Sequence, residues 1–197
     1  RTVAGNGIEI ERAVAFAHSH GVLHRDLKPA NVLMDADGEP FVCDFGLAKV
    51  MHGSDSHLTL TCMVLGSPSY LSPEQAAGNH DAISTATDVY GLGAILYELL
   101  TGRPPFKADS AVATLHEVRE SSVVRPGARR AALHPDLEMI CLHCLEKTPE
   151  HRYPGAASAG PGRTGRVGGT AAGPRRLDGH SAPGHRRRSR GHPLAMA

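Results

Sequence analysis

The chain lacks several features that would place it in a special class of protein. It has no tryptophan, 4% aromatic residues and four cysteines among 197 residues, too few for a small disulfide scaffold. Its longest apolar stretch, residues 91–100, contains Glu98 and is too short to cross a bilayer. No basic segment followed by an apolar run opens the chain. We therefore expect neither a secretory signal nor a membrane span in these residues, and a cytoplasmic location; the alternative is an intact parent protein anchored to a membrane by a segment absent here.

Charge and composition divide the chain into two unequal parts. Residues 1–153 carry a net charge of −6, whereas residues 154–197 carry +7, with ten glycines, five prolines and no aromatic residue. Such a segment buries too little apolar surface to offset its chain entropy. We therefore expect one folded domain over 1–153 and a disordered tail over 154–197. Any short helix in the tail would lie at 156–159 and end before Pro161.

Two explanations of the tail stay open at this point. A shifted reading frame near residue 154 would explain it, since the codons of residues 160–164, read one base later, admit a helical Ala-Leu-Ala-Glu-Leu pattern. A genuine arginine-rich tail would instead contact nucleic acid or an acidic surface through residues 186–190. Apart from such a contact, we do not expect nucleic acid as a partner.

Local patterns predict a mostly helical domain with one small hairpin. Two short strands, over residues 31–34 and 40–43, flank a turn of typical turn composition. Residues 50–70 show no periodicity and predict a long loop. Apolar spacing and end signals predict helices over residues 9–20, 88–101, 111–120 and 136–147.

The residues whose side chains can take part in a reaction lie in two short segments around the predicted hairpin. The first reads His-Arg-Asp-Leu-Lys-Pro-Ala-Asn and ends at Asn31, and the second, Asp-Phe-Gly, begins at Asp44. Asp26 can accept the proton of a hydroxyl group, and Lys28 can neutralise a phosphate. The side-chain oxygens of Asn31 and Asp44 are of the type that Mg²⁺ prefers. Together these groups indicate phosphoryl transfer.

The two segments resemble the catalytic loop and the Mg²⁺-binding triplet of protein kinases. Further along, Gly-Ser-Pro-Ser-Tyr-Leu-Ser-Pro-Glu over residues 66–74 resembles the substrate-facing loop of that family and its closing Ala-Pro-Glu, with Ser72 in place of alanine. The segments Pro-Glu-Gln-Ala and Tyr-Glu-Leu-Leu-Thr-Gly-Arg-Pro-Pro-Phe are similar to those of bacterial serine/threonine kinases. The resemblance covers residues 9–153 and implies the mainly α C-lobe of a protein kinase-like fold, with one β-hairpin.

The resemblance also implies a reaction. The γ-phosphoryl group of ATP would be transferred to serine or threonine hydroxyls of protein substrates, with Mg²⁺ as cofactor. Asp26 would accept or orient the hydroxyl proton, and Lys28 would stabilise the transferring charge. Asn31 and Asp44 would hold the Mg²⁺ ion.

Four further residues would belong to control by an activation loop. Arg25 would pair with a phosphate there, because a guanidinium binds phosphate well. Thr59 and Thr61 are the candidate phosphate acceptors, unless they are ordinary solvated loop hydroxyls. Ser67 keeps a hydroxyl where the family usually has threonine, and would bond the catalytic aspartate and lysine.

The remaining residues implied by the resemblance would be structural. His24 would pack beneath Phe45 in an apolar column rather than act as a base. Asp88, at the start of a buried central helix, would accept hydrogen bonds from the backbone of the catalytic loop. Glu74 would form a buried pair with Arg152, and such a pair holds geometry more than it adds stability.

Parts that the family uses to bind nucleotide do not occur in these 197 residues. None of the four lysines precedes the catalytic loop, and Gly5-Asn-Gly7 is a weak match to a glycine-rich loop. We therefore expect a C-lobe without its N-lobe, silent in catalysis by itself. The alternative is a non-catalytic kinase-like scaffold or binding module. Titration with Mg·ATP separates the two, because only an enzyme binds it and turns it over.

Overall fold

The computed structural model describes residues 3–45 and 68–159. These residues form six α-helices and two β-strands, joined by loops and short 3-10 turns. The helices are α1 (Val3–Ser19), α2 (Pro73–Ala76), α3 (Thr85–Thr101), α4 (Ala111–Glu120), α5 (Pro126–Arg129) and α6 (Pro135–Cys144). The strands are β1 (Val32–Met34) and β2 (Pro40–Val42). A mostly helical fold with one small hairpin is confirmed.

The two strands pair antiparallel, with Val32 opposite Val42 and Leu33 opposite Phe41. Because side chains alternate along a strand, the two valines face inward, where they pack against the core beside α1. Leu33 and Phe41 point the other way and are exposed. The hairpin thus brings the segment before β1 and the segment after β2 to the same end of the sheet.

Helix α3 is the central element of the core. It begins three residues before the predicted start, because the Ser84 hydroxyl accepts from the backbone of Ala86 and the Thr87 hydroxyl accepts from the Ser84 N–H. It ends at Gly102, whose φ of 78° places it in the left-handed region that glycine tolerates. Every residue from 86 to 95 is buried, so other elements pack on all sides of this helix.

Two glycines let neighbouring segments lie directly on the backbone of α3. A Cβ atom at Gly91 would lie 2.8 Å from the Cβ of Leu27, in the loop that carries Asp26. A Cβ atom at Gly93 would lie 2.6 Å from the Cβ of Cys144, at the end of α6. Real Cβ atoms do not approach so closely. The catalytic loop and α6 are therefore both in contact with bare helix backbone.

The folded part extends beyond the boundary that we placed after residue 153. Ala156 is fully buried in a cluster with Ile10 and Val14 of α1, and Ala159 is also buried. The Thr85 hydroxyl donates to the carbonyl of Pro154 at 2.7 Å. Residues 154–159 are therefore corrected from tail to core, with a 3-10 turn at Ala156–Ser158 where the short helix was expected. The predicted tail from residue 160 onward lies outside the described residues.

Two helices differ from their predicted bounds. Helix α1 begins at Val3 instead of residue 9, although its first turns contain two glycines, which lower helix propensity. The packing of Ile10 and Val14 in the core stabilises the helix against this cost. Helix α6 ends at Cys144 instead of residue 147. Beyond this end, the carbonyls of Glu146 and Lys147 accept from the Arg152 side chain. Among the described helices, none is long and apolar enough to span a membrane.

Candidate active site

The loop between α1 and β1 brings together three of the residues singled out from the sequence. The Lys28 ammonium donates to Oδ2 of Asp26 at 2.6 Å. The Asn31 amide donates to the same carboxylate oxygen at 3.2 Å and to the backbone carbonyl of Asp26 at 2.8 Å. The side chain of Asp26 is 41% exposed and that of Lys28 17% exposed. A carboxylate open to solvent therefore lies against a cation, at a place that a hydroxyl group can reach.

Asn31 and Asp44 are held near each other by the hairpin. The backbone N–H and the thiol of Cys43 both donate to the carbonyl of Asn31, at 3.0 and 3.3 Å, and Asp44 is the next residue. The two amide hydrogens of Asn31 are used by Asp26, which leaves Oδ1 as its side-chain acceptor. The Asp44 carboxylate is exposed. A carboxylate and an amide oxygen are hard ligands, so this donor set fits Mg²⁺.

The backbone of the site is strained at two residues. Arg25 has φ of 69° and Asp44 has φ of 64°, a region that side chains other than glycine rarely adopt. At Arg25 the conformation is held by Asp88, which lies in the first turn of α3 and is 1% exposed. Its carboxylate accepts from the N–H of Arg25 at 2.7 Å and from the N–H of His24 at 2.8 Å. These are the backbone contacts expected of Asp88.

The buried ring of His24 has both nitrogens engaged. Nδ1 accepts from the N–H of Asp26 at 3.2 Å, and Nε2 donates to the carbonyl of Cys43 at 2.8 Å. These partners specify the neutral tautomer with the proton on Nε2. The ring also packs against Phe45, with centroids 4.8 Å apart. His24 thus links the catalytic loop to the segment of Asp44, and neither nitrogen is directed at a substrate.

Glu74 and Arg152 form a two-pronged ion pair in the core. Both guanidinium N–H prongs lie 2.8 Å from carboxylate oxygens, and the two side chains are 4% and 0% exposed. The other three N–H groups of Arg152 donate to the carbonyls of Ala86, Glu146 and Lys147. Burial by itself would raise the pKa of Glu74, but hydrogen bonds and charge from Arg152 hold it below its usual range.

Two residues of the site carried no functional signal in the sequence. His18, near the end of α1, places Nε2 2.8 Å from the Asp88 carboxylate. Gln75 of α2 donates to the carbonyl of Arg25 at 2.6 Å. Both contacts join residues at least 50 positions apart in the chain, and a local pattern cannot reveal such contacts. The Ser-x-x-Gln pattern at residues 72–75 could have predicted the helix start at α2, since it is a capping box.

The predicted activation-loop residues Thr59, Thr61 and Ser67 lie outside the described residues, so their roles stay predictions. Within residues 3–45 and 68–159, the guanidinium of Arg25 has no carboxylate partner. That position is compatible with the expected phosphate contact.

Comparison with known proteins identifies the family. The model of the protein kinase domain matches residues 6–159. The chain is 43% identical over 146 residues to the serine/threonine-protein kinase PknB of Mycobacterium tuberculosis, covering 74% of this chain and 23% of PknB. It is 40% identical over 149 residues to a probable serine/threonine-protein kinase of Streptomyces coelicolor, covering 76% of this chain and 22% of that protein.

The chain thus spans less than a quarter of the length of these relatives. The match includes the catalytic loop, the strained aspartate after the hairpin, and the buried Glu74–Arg152 pair. The chain belongs to the protein kinase domain family and has the helical fold and small hairpin of its C-lobe.

Proposed function

We propose that the protein containing this chain transfers the γ-phosphoryl group of ATP to serine or threonine hydroxyls of other proteins. The observation that carries the proposal is the cluster in which Lys28 and Asn31 both bond the carboxylate of Asp26. The relatives named above are serine/threonine kinases, and Lys28 lies in the Asp-Leu-Lys-Pro form of the loop that we associate with that specificity.

The residues of the cluster have separate tasks in this reaction. Asp26 accepts or orients the proton of the attacking hydroxyl, and its partial exposure lets a substrate reach it. Lys28 is close enough to Asp26 to meet the transferring phosphoryl group at the same place, where its charge stabilises the transition state. Positioning and charge stabilisation are what phosphoryl transfer chiefly needs from a protein.

Asn31 and Asp44 would hold Mg²⁺ through Oδ1 and the carboxylate. When bound, the ion neutralises charge on the phosphates of ATP. The protein prepares this site by committing the Asn31 amide hydrogens to Asp26, so that the amide oxygen is left for the ion. The left-handed conformation of Asp44 sets the direction in which its carboxylate leaves the hairpin.

We also propose that these 197 residues alone do not turn over ATP. No lysine precedes Asp26 in the sequence, and kinases use a lysine of the preceding lobe, paired with glutamate, to hold the phosphates. Control is proposed to act through Arg25, as the partner of a phosphate on Thr59 or Thr61.

The test joins residues 6–159 behind the N-lobe of an active kinase of this family and measures transfer of labelled phosphate to a serine- or threonine-containing protein. We expect transfer by the joined protein, none by the 197-residue chain, and none by the joined protein with Asp26→Asn. Binding of Mg·ATP by the joined protein without any transfer would instead favour the non-catalytic scaffold. Transfer that survives Asp26→Asn would remove Asp26 from its proposed role.

A further inference from the structure

The side chain of Gln75 connects helix α2 to the catalytic loop. Its Nε2 donates to the carbonyl of Arg25 at 2.6 Å, across 50 residues of sequence. Its Oε1 accepts from the backbone N–H of Ser72 at 3.1 Å and from the Ser72 hydroxyl at 3.2 Å. A backbone N–H can only donate and a carbonyl can only accept, so these partners fix the orientation of the amide.

Gln75 binds the residue of this loop whose backbone conformation is strained. Arg25 has φ of 69°, and its N–H is already held by Asp88 at 2.7 Å. The bond from Gln75 holds the carbonyl of the same residue, so both polar groups of the Arg25 backbone are fixed from different elements. A left-handed conformation at a residue with a long side chain persists only when its surroundings impose it.

The contact also lies beside the reacting carboxylate. Gln75, Arg25, Asp26 and Asp88 line one small cleft between the loop that carries Asp26, α2 and α3. The carbonyl that Gln75 binds belongs to the peptide unit whose nitrogen is that of Asp26. A rotation of this peptide unit therefore moves Asp26 directly.

We propose that Gln75 is a positioning residue for the catalytic loop: it holds the Arg25–Asp26 peptide unit and thereby couples the orientation of Asp26 to helix α2. This role rests on the function proposed above. Helix α2 closes the segment that faces the substrate in the family, so the coupling would transmit its position to the residue that meets the hydroxyl. Gln75 itself touches neither substrate nor phosphate.

A pair of variants separates the bond that the Gln75 amide donates to Arg25 from the contacts within the cap of α2. Gln75→Glu keeps an acceptor for Ser72 but replaces the donor to Arg25 by a carboxylate, which repels the carbonyl. Ser72→Ala removes the hydroxyl from the cap and leaves the bond from Gln75 to Arg25 in place. It is the matched control, because it disturbs α2 without releasing the loop.

The first measurement is amide hydrogen exchange over residues 24–28 in the 197-residue chain. We expect Gln75→Glu to raise exchange there by about two- to tenfold, the factor that corresponds to one hydrogen bond, while the rest of the core and the melting temperature stay near those of the parent. Ser72→Ala should leave exchange over residues 24–28 unchanged. Equal exchange in Gln75→Glu and parent, or a general rise throughout the core, would overturn the proposal.

The second measurement repeats the exchange at lower pH. A protonated carboxyl can donate to the carbonyl of Arg25, so the excess exchange of Gln75→Glu over the parent should shrink as the pH falls through the ordinary glutamate pKa of about 4.3, toward roughly 3. The charged and titratable groups that line the cleft are Arg25, Asp26, Tyr70 and Asp88, and all four are present in both proteins. An excess that persists unchanged at low pH would show that shape, not the donated bond, holds the loop.

The exchange measurements contain no nucleotide, so they test the positioning role separately from phosphoryl transfer. In the joined kinase described above, Gln75→Glu should lower kcat at neutral pH and leave the KM for ATP nearly unchanged. If the joined parent transfers no phosphate at all, the proposed function fails and the exchange result still decides the role of Gln75. A normal kcat in Gln75→Glu would overturn the coupling.

Discussion

Two ion pairs of nearly equal length lie in very different surroundings. Lys28 and Asp26 are 2.6 Å apart on the catalytic loop, and Arg152 and Glu74 are 2.8 Å apart in the core. The carboxylate of the first pair is 41% exposed, whereas that of the second is 4% exposed. The distances alone would not distinguish a catalytic pair from a structural one.

What distinguishes them is the number of additional partners. Every N–H of Arg152 has an acceptor, and Glu74 also accepts from the Thr87 hydroxyl at 2.9 Å. A buried ion pair needs hydrogen-bond partners for all of its polar groups, because the free-energy cost of its desolvation is otherwise not offset. Lys28 and Asp26 keep access to solvent, which weakens their attraction. Burial thus makes the Glu74–Arg152 pair structural, and exposure leaves the Asp26–Lys28 pair accessible for the role proposed above.

The largest expected effect comes from breaking the buried pair. Arg152→Leu leaves the Glu74 carboxylate and three carbonyls in the core without their donor, and should lower the free energy of unfolding by about 3–5 kcal/mol. Urea denaturation of the 197-residue chain measures it. Lys28→Leu is the matched variant of the exposed pair and should cost less than about 1 kcal/mol. Equal losses in the two variants would abolish the distinction.

The next effect concerns the carboxylate that fixes the strained loop. Asp88→Asn keeps the size of the side chain but replaces one acceptor oxygen by a donor, opposite the N–H of His24 or Arg25. We expect a loss of about 1–3 kcal/mol, the usual cost of an unmet buried group. Thermal unfolding measures this loss, and hydrogen exchange at residues 24–26 should rise with it. A variant as stable as the parent would show that Asp88 does not impose the loop conformation.

A smaller effect on stability should appear at acid pH. Since Arg152 holds the pKa of Glu74 below its ordinary value of 4.5, the folded state binds fewer protons there than the unfolded state. The stability that this group contributes is present above that value and is lost as the pH falls through the lower pKa of the folded state. Urea midpoints from pH 7 to roughly 3 should therefore fall more steeply for the parent than for Glu74→Gln. Parallel curves would contradict this assignment.

The smallest effect on stability should come from Asp26, the residue for which we propose the central role in turnover. Asp26→Asn alters a side chain that is 41% exposed, and should change the free energy of unfolding by less than about 1 kcal/mol. In the joined kinase the same variant should abolish transfer. A large loss of stability in Asp26→Asn would mean that the exposed pair also supports the fold.

The local rules succeeded where the chain determines its own structure. Helix α4 was predicted at residues 111–120 and is found there, since Ser110 supplies its cap and Thr114 and Val118, four residues apart, form its buried face. The stop of α3 at Gly102 follows from the conformational freedom of glycine. The segment after Tyr153 was predicted as tail because its composition is poor in apolar residues. Two of the three alanines at 156–159 are buried all the same, because Ala156 packs with Ile10 and Val14 of α1 and Ala159 packs beside Val89 of α3.

The candidate site was predicted through its motifs and a family resemblance, which also implied the contacts of Asp88 and the Glu74–Arg152 pair but not those of His18 and Gln75. Asp26, Lys28 and Asn31 lie within one loop, so their proximity follows from their spacing. The bonds from His18 and Gln75 depend on how α1 and α2 dock against the loop. Nothing in the sequence near either residue specifies that docking, which is decided by the packing of the whole core around α3.

Gly91 and Gly93 place no side chain between helix α3 and the two segments that pack on it. In most cores, the side chains between two packed backbone segments can change rotamer when one of the segments shifts. Here Leu27 meets the backbone of α3 directly, and the residue before Leu27 is Asp26. A methyl group at position 91 would have to displace the loop itself. The position of the Asp26 carboxylate therefore depends on the missing side chain of Gly91, in a helix to which Asp26 itself does not belong.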